Sequence, residues 1–368
     1  MQYVKHPWGA IHILLMSQKI KIGLLGSTGY TGAILAAILA KHASVEIVFL
    51  GSQQYAGEKF SKIYPEFNKL IDLECIDASD QYLRSLTSDQ VDLIFFATPN
   101  GIACKYAPSL LKQGISVIDL SADYRFRDLN IYEHWYGFKR DDHSTNDQAV
   151  YGLVEFKRTL LKNLKRPALI ANPGCYTSSA ILALAPLLEH CPQLIRSNSI
   201  IIDGKSAISG AGRKASTELL FTEINESCSP YKLGNSHRHG PELEAFFSEL
   251  SGSKIQLSFS PHLIPMTRGL LTTSYIEFTE DIGEARLREI YQSRYANEQF
   301  VTLLEADVYP QTRWAVDTNQ AFLQVKYDPR LKRATIVCAI DNLMKGASSQ
   351  AVQNMNLLFG LAEETGLS

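Results

Sequence analysis

The stretch that most constrains this chain lies near its start. The apolar run Lys19-Ile20-Lys21-Ile22-Gly23-Leu24-Leu25 is followed at once by Gly26-Ser27-Thr28-Gly29-Tyr30-Thr31-Gly32, and then by Ala33-Ile34-Leu35-Ala36-Ala37-Ile38-Leu39. It reads as a buried strand, a glycine-rich turn and a helix, which is the context a dinucleotide fingerprint requires. The glycines permit a tight turn and let backbone N–H groups approach a pyrophosphate at the helix N-terminus. The spacing G-x-x-G-x-x-G is one residue longer at the front than G-x-G-x-x-G. Taken alone, the stretch also reads as a merely structural turn.

Further strands follow in the same style. Val45–Leu50 ends at Gly51-Ser52-Gln53 with no acid for a ribose 2′-hydroxyl. That leaves room for a 2′-phosphate, with Ser52 as a donor, and favours NADP over NAD. Val91–Ala97 is a third buried strand and runs into Thr98-Pro99-Asn100-Gly101. In a doubly wound sheet ligands bind at the carboxyl ends of strands, so Thr98 and Pro99 are expected to wall the cofactor site. A helix from Ile102 to Gln113 and a strand from Ile115 to Leu120 lead to Ser121-Ala122-Asp123-Tyr124-Arg125. This segment either orients a phosphate or the catalytic loop, or holds a structural Asp123–Arg125 pair. Residues 130–150 read as a surface loop. Its His134 and His143 lack partners at metal-ligand spacing, and no metal is expected.

The candidate nucleophile comes next. Ala168–Ala171 reads as a buried strand, Asn172-Pro173-Gly174-Cys175-Tyr176 as its turn, and Thr177 onward as a helix that Pro186 kinks or ends. A cysteine at a helix N-terminus is expected to have a lowered thiol pKa and to act as a nucleophile. The other reading is a small buried cysteine. After a strand at Ser199–Asp203, the run from Lys205 to Lys214 is a second glycine-rich loop. It suits the nicotinamide side of a cofactor, with Arg213 or Lys214 on phosphate oxygens. In Tyr231–Glu242, His237 and His239 are the candidate bases. Two residues apart in an extended segment, they point in opposite directions. Glu242 is placed to orient an imidazole as the third member of a triad. The alternative is a polar cap for a helix starting near Pro241.

The rest alternates extended runs (254–259, 270–278, 321–327, 334–339) with a helix near 283–296. A turn at Asp341–Gly346 leads to a last helix near 347–359. The 368 residues exceed one typical core, which predicts two domains. A net charge of -2 gives no basic field for nucleic acid or acidic lipid. Six scattered cysteines without a C-x-x-C pair point away from zinc ribbons and disulfide scaffolds and towards a reducing compartment. Residues 1–17 read as an extension before the first strand rather than a signal peptide or a membrane span, and Met16 is an alternative start.

With these segments in view, the chain resembles the N-acetyl-gamma-glutamyl-phosphate reductases, within the aspartate-semialdehyde dehydrogenase superfamily. The resemblance runs from about Lys19 onward. It rests on GSTGYTG at 26–32, DLSADYR at 119–125, NPGCY at 172–176, SGAGR at 209–213, HRHGPE at 237–242, PHLIPMTRG at 261–269 and DNLMKGA at 341–347. The chain departs from the family's common pattern at Thr177-Ser178, where Pro-Thr is usual, and at Asn100, where His is frequent.

The resemblance implies an α/β chain. A Rossmann-type doubly wound parallel sheet domain (18–170 with 345–368) binds NADP(H), and a second α+β domain with a large mixed sheet (171–344) carries the nucleophile and the oligomer contacts. It implies a cofactor site of Gly26, Ser27, Thr28, Gly29, Tyr30, Thr31, Gly32, Ser52, Thr98, Pro99, Ser209, Gly210, Gly212 and Asn342. Cys175 matches the catalytic thiol. His237 is the favoured base, with Glu242 nearby and His239 kept open. Arg125, Arg213 and Arg268 are the candidate substrate cations. The implied activity is NADPH-dependent reductive dephosphorylation of a small-molecule acyl phosphate in arginine biosynthesis, by a cytoplasmic homo-oligomer, dimer or tetramer. The same chemistry on an aspartyl or aminoadipyl phosphate is the nearest alternative, and a non-catalytic dinucleotide-binding regulator is a more distant one.

Overall fold

A computed structural model describes residues 19–367, and the extension expected over residues 1–17 lies outside them. Seven strands form the first sheet: β1 (Ile20–Leu25), β2 (Val45–Gly51), β3 (Cys75–Ile76), β4 (Leu93–Phe96), β5 (Ser116–Asp119), β6 (Val150–Tyr151) and β7 (Leu169–Ala171). They are all parallel, in the order β3-β2-β1-β4-β5-β7-β6. The strands are near-continuous apolar runs because both faces are covered. Leu24, Phe95 and Ile118 pack under the helices Tyr30–Lys41, Val154–Lys162 and Ser348–Leu358. Ile94, Phe96 and Val117 pack under Ala103–Lys112. The last helix of the chain thus lies on the first sheet. Strand order reverses between β1 and β4, so a crevice opens where Gly26 and Thr98 follow those strands.

The second sheet contains β8 (Ile200–Ala207), β9 (Ser229–Pro230), β10 (Leu257–Ile264), β11 (Leu270–Glu277), β12 (Val301–Leu303), β13 (Ala321–Asp328) and β14 (Arg333–Ile340). Its order is β12-β13-β14-β11-β8-β10-β9, and the pairing is mixed. The Cys175–His190 helix is buried from Tyr176 to Leu188 against one face, between the sheet and the helices His239–Ser251 and Glu284–Tyr295.

Three expectations are corrected. Residues 130–150 are not a loop: Leu129–Tyr136 and His143–Asn146 are helical, and Tyr132 is fully buried with its hydroxyl on Asp123, 2.7 Å away. The aromatic residues there are core and cavity wall, which a mixed aromatic and charged composition does not reveal. The strand after Ser199 runs on to Ala207, so the glycine-rich loop begins only at Ile208. Pairing with β10 and β11 on both sides carries the extended backbone past Gly204.

Pro186 neither ends nor splits its helix. A proline leaves the carbonyl four residues earlier without a donor, and here that carbonyl belongs to Leu182. The Tyr295 hydroxyl donates to it at 2.5 Å, and the Tyr291 hydroxyl donates to the next carbonyl, Ala183. Tyr295→Phe is therefore expected to lower stability by about 1–2 kcal/mol, the cost of orphaning a buried acceptor. Urea unfolding checks this, and an unchanged midpoint would show that Leu182 has another donor.

Candidate active site

The turn after β7 is held from several sides. Asn172 donates its backbone N–H to Asp119 at 2.8 Å and its side-chain amide to Ala347 O at 3.1 Å. Gly174 is extended and precedes the helix, of which Cys175 is the first residue. A Cβ on Gly174 would stand 2.5 Å from His239 Nε2 and 2.9 Å from Arg125 Nη1. A Cβ on Gly346 would stand 2.8 Å from Cys175 Cβ. Glycine is thus required on both sides of the cysteine because neighbouring groups come that close.

The Cys175 thiol faces the backbone N–H groups of Tyr176 and Cys175 at the helix start. Its pKa is nevertheless pushed up to about 11. Burial is the larger influence, and it outweighs these N–H groups and the Arg125 charge. This corrects the lowered value expected from helix position alone: the dipole favours a thiolate, but loss of water disfavours it more.

The two histidines differ in where they look. His237 is boxed by Tyr176, Tyr231 and Phe259, and its Nδ1 accepts the backbone N–H of His239 at 3.1 Å. His239 has Nε2 against the nucleophile turn, and its Nδ1 has no partner among the described residues. Burial keeps both rings neutral. It pushes His237 down to about 2 and His239 down to about 3, with help from His239 and Arg125 respectively.

Glu242 bonds neither imidazole. It accepts from Arg125 Nη1 at 3.1 Å, the Tyr151 hydroxyl at 2.7 Å and the Thr177 hydroxyl at 2.9 Å. The triad arrangement expected for it is therefore corrected: Glu242 lies one turn into its helix, facing the back of the Cys175 helix. Arg125 pairs with Glu242, not Asp123, and gives further bonds to Asn172 O and Leu120 O, both at 2.8 Å. Asp123 instead accepts the N–H groups of Gly101 and Cys104.

Two hollows meet at Cys175. One is a groove along the crevice, in adjoining parts of about 620 and 510 Å³. Gly26, Thr28, Gly29 and Ser52 line one part, Tyr30, Thr31, Gly32, Ser209, Gly210, Gly212 and Asn342 line the other, and Thr98 and Pro99 line both. Ser27 lies beneath it, fully buried, with its hydroxyl on Gly51 O. Gly26 has φ +75°, and a Cβ on it would stand 2.2 Å from Ala97 O, while one on Gly32 would stand 2.1 Å from Gly26 O. The buried Thr98 hydroxyl has no partner among the described residues. Ser52 bonds Thr28 at 2.8 Å, and Arg213 and Lys214 stand at the same end, with no carboxylate lining it. A cradle of bare backbone, an orphaned donor and two cations at the end of β2 fit a dinucleotide bearing an extra phosphate.

The second hollow, about 780 Å³, lies on the other side of Cys175. Its lining brings Arg125, Lys214, Lys232 and Arg238 against a single carboxylate, Glu218. Arg125, Cys175, His239, Gly210 and Ala211 line both this cavity and the groove, whereas His237 lines only the cavity.

Two of the three candidate substrate arginines stand elsewhere. Arg213 donates to Thr28 O and Tyr64 at the dinucleotide turn. Arg268 is held by Asp317 and Asp341. The acids that neutralise it arrive only in the fold. Lys232, Arg238 and Tyr136 were missed. Lys232 lies just upstream of the histidines and Arg238 between them, a signal that was available, while Tyr136 enters through the helix misread as a loop.

Residues 21–164 match the family model "Semialdehyde dehydrogenase, NAD binding domain", and residues 175–342 match "Semialdehyde dehydrogenase, dimerisation domain". Among curated proteins, the N-acetyl-gamma-glutamyl-phosphate reductase of Thermosynechococcus vestitus is 43% identical, covering 96% of this chain and 98% of that one. That of Moorella thermoacetica is 44% identical over 95% and 98%. Among solved structures, aspartate semialdehyde dehydrogenase II of Vibrio cholerae aligns with a TM-score of 0.71 at 18% identity, covering 94% of this chain and 99% of that one. The enzyme of Candida albicans, solved with NADP, aligns at 0.63 and 19% identity, over 93% and 99%.

Proposed function

Because the chain belongs to the N-acetyl-gamma-glutamyl-phosphate reductase family, built on the semialdehyde dehydrogenase domains, we propose that it converts N-acetyl-gamma-glutamyl phosphate to N-acetylglutamate semialdehyde through a thioester on Cys175. It is an NADP-dependent oxidoreductase of arginine biosynthesis. The observation that carries the residue roles is that Cys175 and His239 stand where the dinucleotide groove meets a cavity rich in cations. The substrate carries a carboxylate and a phosphate, and Lys232 and Arg238, which have no carboxylate partner among the described residues, line the cavity that would meet them.

Cys175 Sγ attacks the acyl carbon, the carbon–oxygen bond to phosphate breaks, and the thiol proton passes to His239. Backbone N–H groups at the helix start face the oxygen that gains charge. The turn 26–32, Ser52 and Thr98 would hold NADPH in the groove, where it would supply a hydride to the acyl carbon. The carbonyl oxygen then takes the proton back from His239. As the sulfur–carbon bond breaks, the hydroxyl proton returns to His239, the aldehyde leaves, and His239 passes the proton to the sulfur, restoring the thiol. His239 suits this role better than His237, because its Nε2 faces the nucleophile turn.

A homo-oligomer formed through the second sheet is supported by the dimerisation description of residues 175–342. We place the enzyme in the cytoplasm, where its six free cysteines stay reduced. No helix among the described residues is long and apolar enough to cross a membrane.

The test is NADP reduction by the purified protein with N-acetylglutamate semialdehyde, with and without inorganic phosphate. Phosphate-dependent formation of NADPH is expected. Activity on aspartate semialdehyde alone would keep the chemistry and reject the substrate. Inactivity on both, with NADP still bound, would reject the enzyme reading.

A further inference from the structure

Behind the nucleophile lies a third hollow, of about 510 Å³, between the segment after β5 and the helix His239–Ser251. Glu242 lines this hollow and neither of the two that hold the thiol. Its side chain is 1% exposed. One oxygen accepts from Tyr151 at 2.7 Å, Thr177 at 2.9 Å and the Gly174 N–H at 3.4 Å, and the other accepts from Arg125 at 3.1 Å. Every donor belongs to a different part of the site: β6, the first turn of the Cys175 helix, the turn before it, and the loop after β5.

We infer that Glu242 is a positioning residue for the nucleophile: from behind the site it ties the Gly174–Thr177 turn to Arg125 and so sets where the Cys175 thiol points. This rests on Cys175 being the nucleophile. It gives Glu242 no contact with substrate and no proton to carry. A shift of the turn by a fraction of an ångström misaims both the thiol and the N–H groups beside it, and such misplacement costs turnover rather than binding.

The ionisable groups around the thiol are Arg125, Glu242, His237, His239, Tyr176 and Tyr231, while the neighbouring Lys345 is turned away towards Glu155. Glu242 opposes the thiolate and Arg125 favours it. Glu242→Gln keeps the shape and removes the charge. The expected result has two parts with opposite signs. Turnover falls by about 10–10²-fold with KM for aldehyde and NADP changed less than about threefold. Alkylation of Cys175 by iodoacetamide, followed on its own peptide by mass spectrometry, becomes faster and its midpoint moves to lower pH.

Turnover within about threefold of wild type would overturn the inference, and so would a turnover loss with an unmoved alkylation profile. If Glu242→Gln does not fold, Tyr151→Phe and Thr177→Val each remove one bond to the same oxygen. Either is expected to lower turnover severalfold at unchanged KM, and full activity in both would overturn the inference. Should wild type show no phosphate-dependent aldehyde oxidation, the functional reading fails separately. The alkylation profile then decides the role of Glu242 by itself.

Discussion

Cys175→Ser is expected to lower turnover by at least about 10³-fold while NADP binding stays within about twofold of wild type. Loss of water pushes the half-buried thiol up to about 11, away from a stored thiolate. On the proposed mechanism, the proton leaves as sulfur attacks, with His239 as acceptor, rather than ahead of the attack. A serine hydroxyl in the same place is far less acidic and a poorer nucleophile, so the neighbouring ring cannot compensate. Cofactor binding is expected to be spared because Gly26, Thr28 and Ser52 line the part of the groove that Cys175 does not. The paired measurement is steady-state turnover and NADPH fluorescence. A serine enzyme retaining a tenth of wild-type activity would remove Cys175 from the reaction.

The second large effect is on stability. Lys345 is fully buried and donates to Glu155 at 2.5 Å and to Gln353 at 2.7 Å. Glu155 is buried as well. Burial alone would push its carboxyl up, but Lys345 beside it holds it below the usual carboxylate range. Lys345→Met leaves that carboxylate without its cation and is expected to cost about 3–5 kcal/mol.

The pH dependence follows from the sign of each shift. In wild type the folded pKa of Glu155 is depressed, so its contribution is present above the unfolded carboxylate value and is lost as pH falls through the folded one. In the variant the folded pKa is raised, so the loss is largest at neutral pH and shrinks on acidification, as the buried acid takes a proton. Adding Glu155→Gln to Lys345→Met is expected to restore much of the loss, because no unpaired charge remains. Urea unfolding at neutral and acidic pH measures all three. A single variant equally destabilised at both would exclude the buried carboxylate as the cause. The neighbouring Gly346 packs on Cys175, so this pair also anchors the floor of the site.

Much of the architecture was legible because it is written in short-range stereochemistry. A strand feeding a helix through Gly26 and Gly32 leaves few alternatives to a backbone cradle, and Pro173-Gly174 before an apolar helical run places Cys175 at a helix start. The end of β2 at Gly51-Ser52 without an acid was visible in the same way. These features depend on residues within one turn or one strand of each other.

Tertiary structure decided the rest. Glu242 meets Arg125 across 117 positions in the chain, and Arg268 meets Asp341 because β11 and β14, distant in the chain, pair side by side. No local spacing announces such partners. His239 rather than His237 has its ring against Gly174, a consequence of how the helix His239–Ser251 packs on the Cys175 helix. Pro186 stays helical because tyrosines about 110 residues away supply the missing donors. The thiol pKa reversed direction for the same reason. The helix N-terminus is a local property of the sequence, whereas the loss of water around the sulfur exists only once segments distant in the chain (the 29–32 turn, Arg125, His239 and Gly346) pack around it, and desolvation is the larger of the two effects.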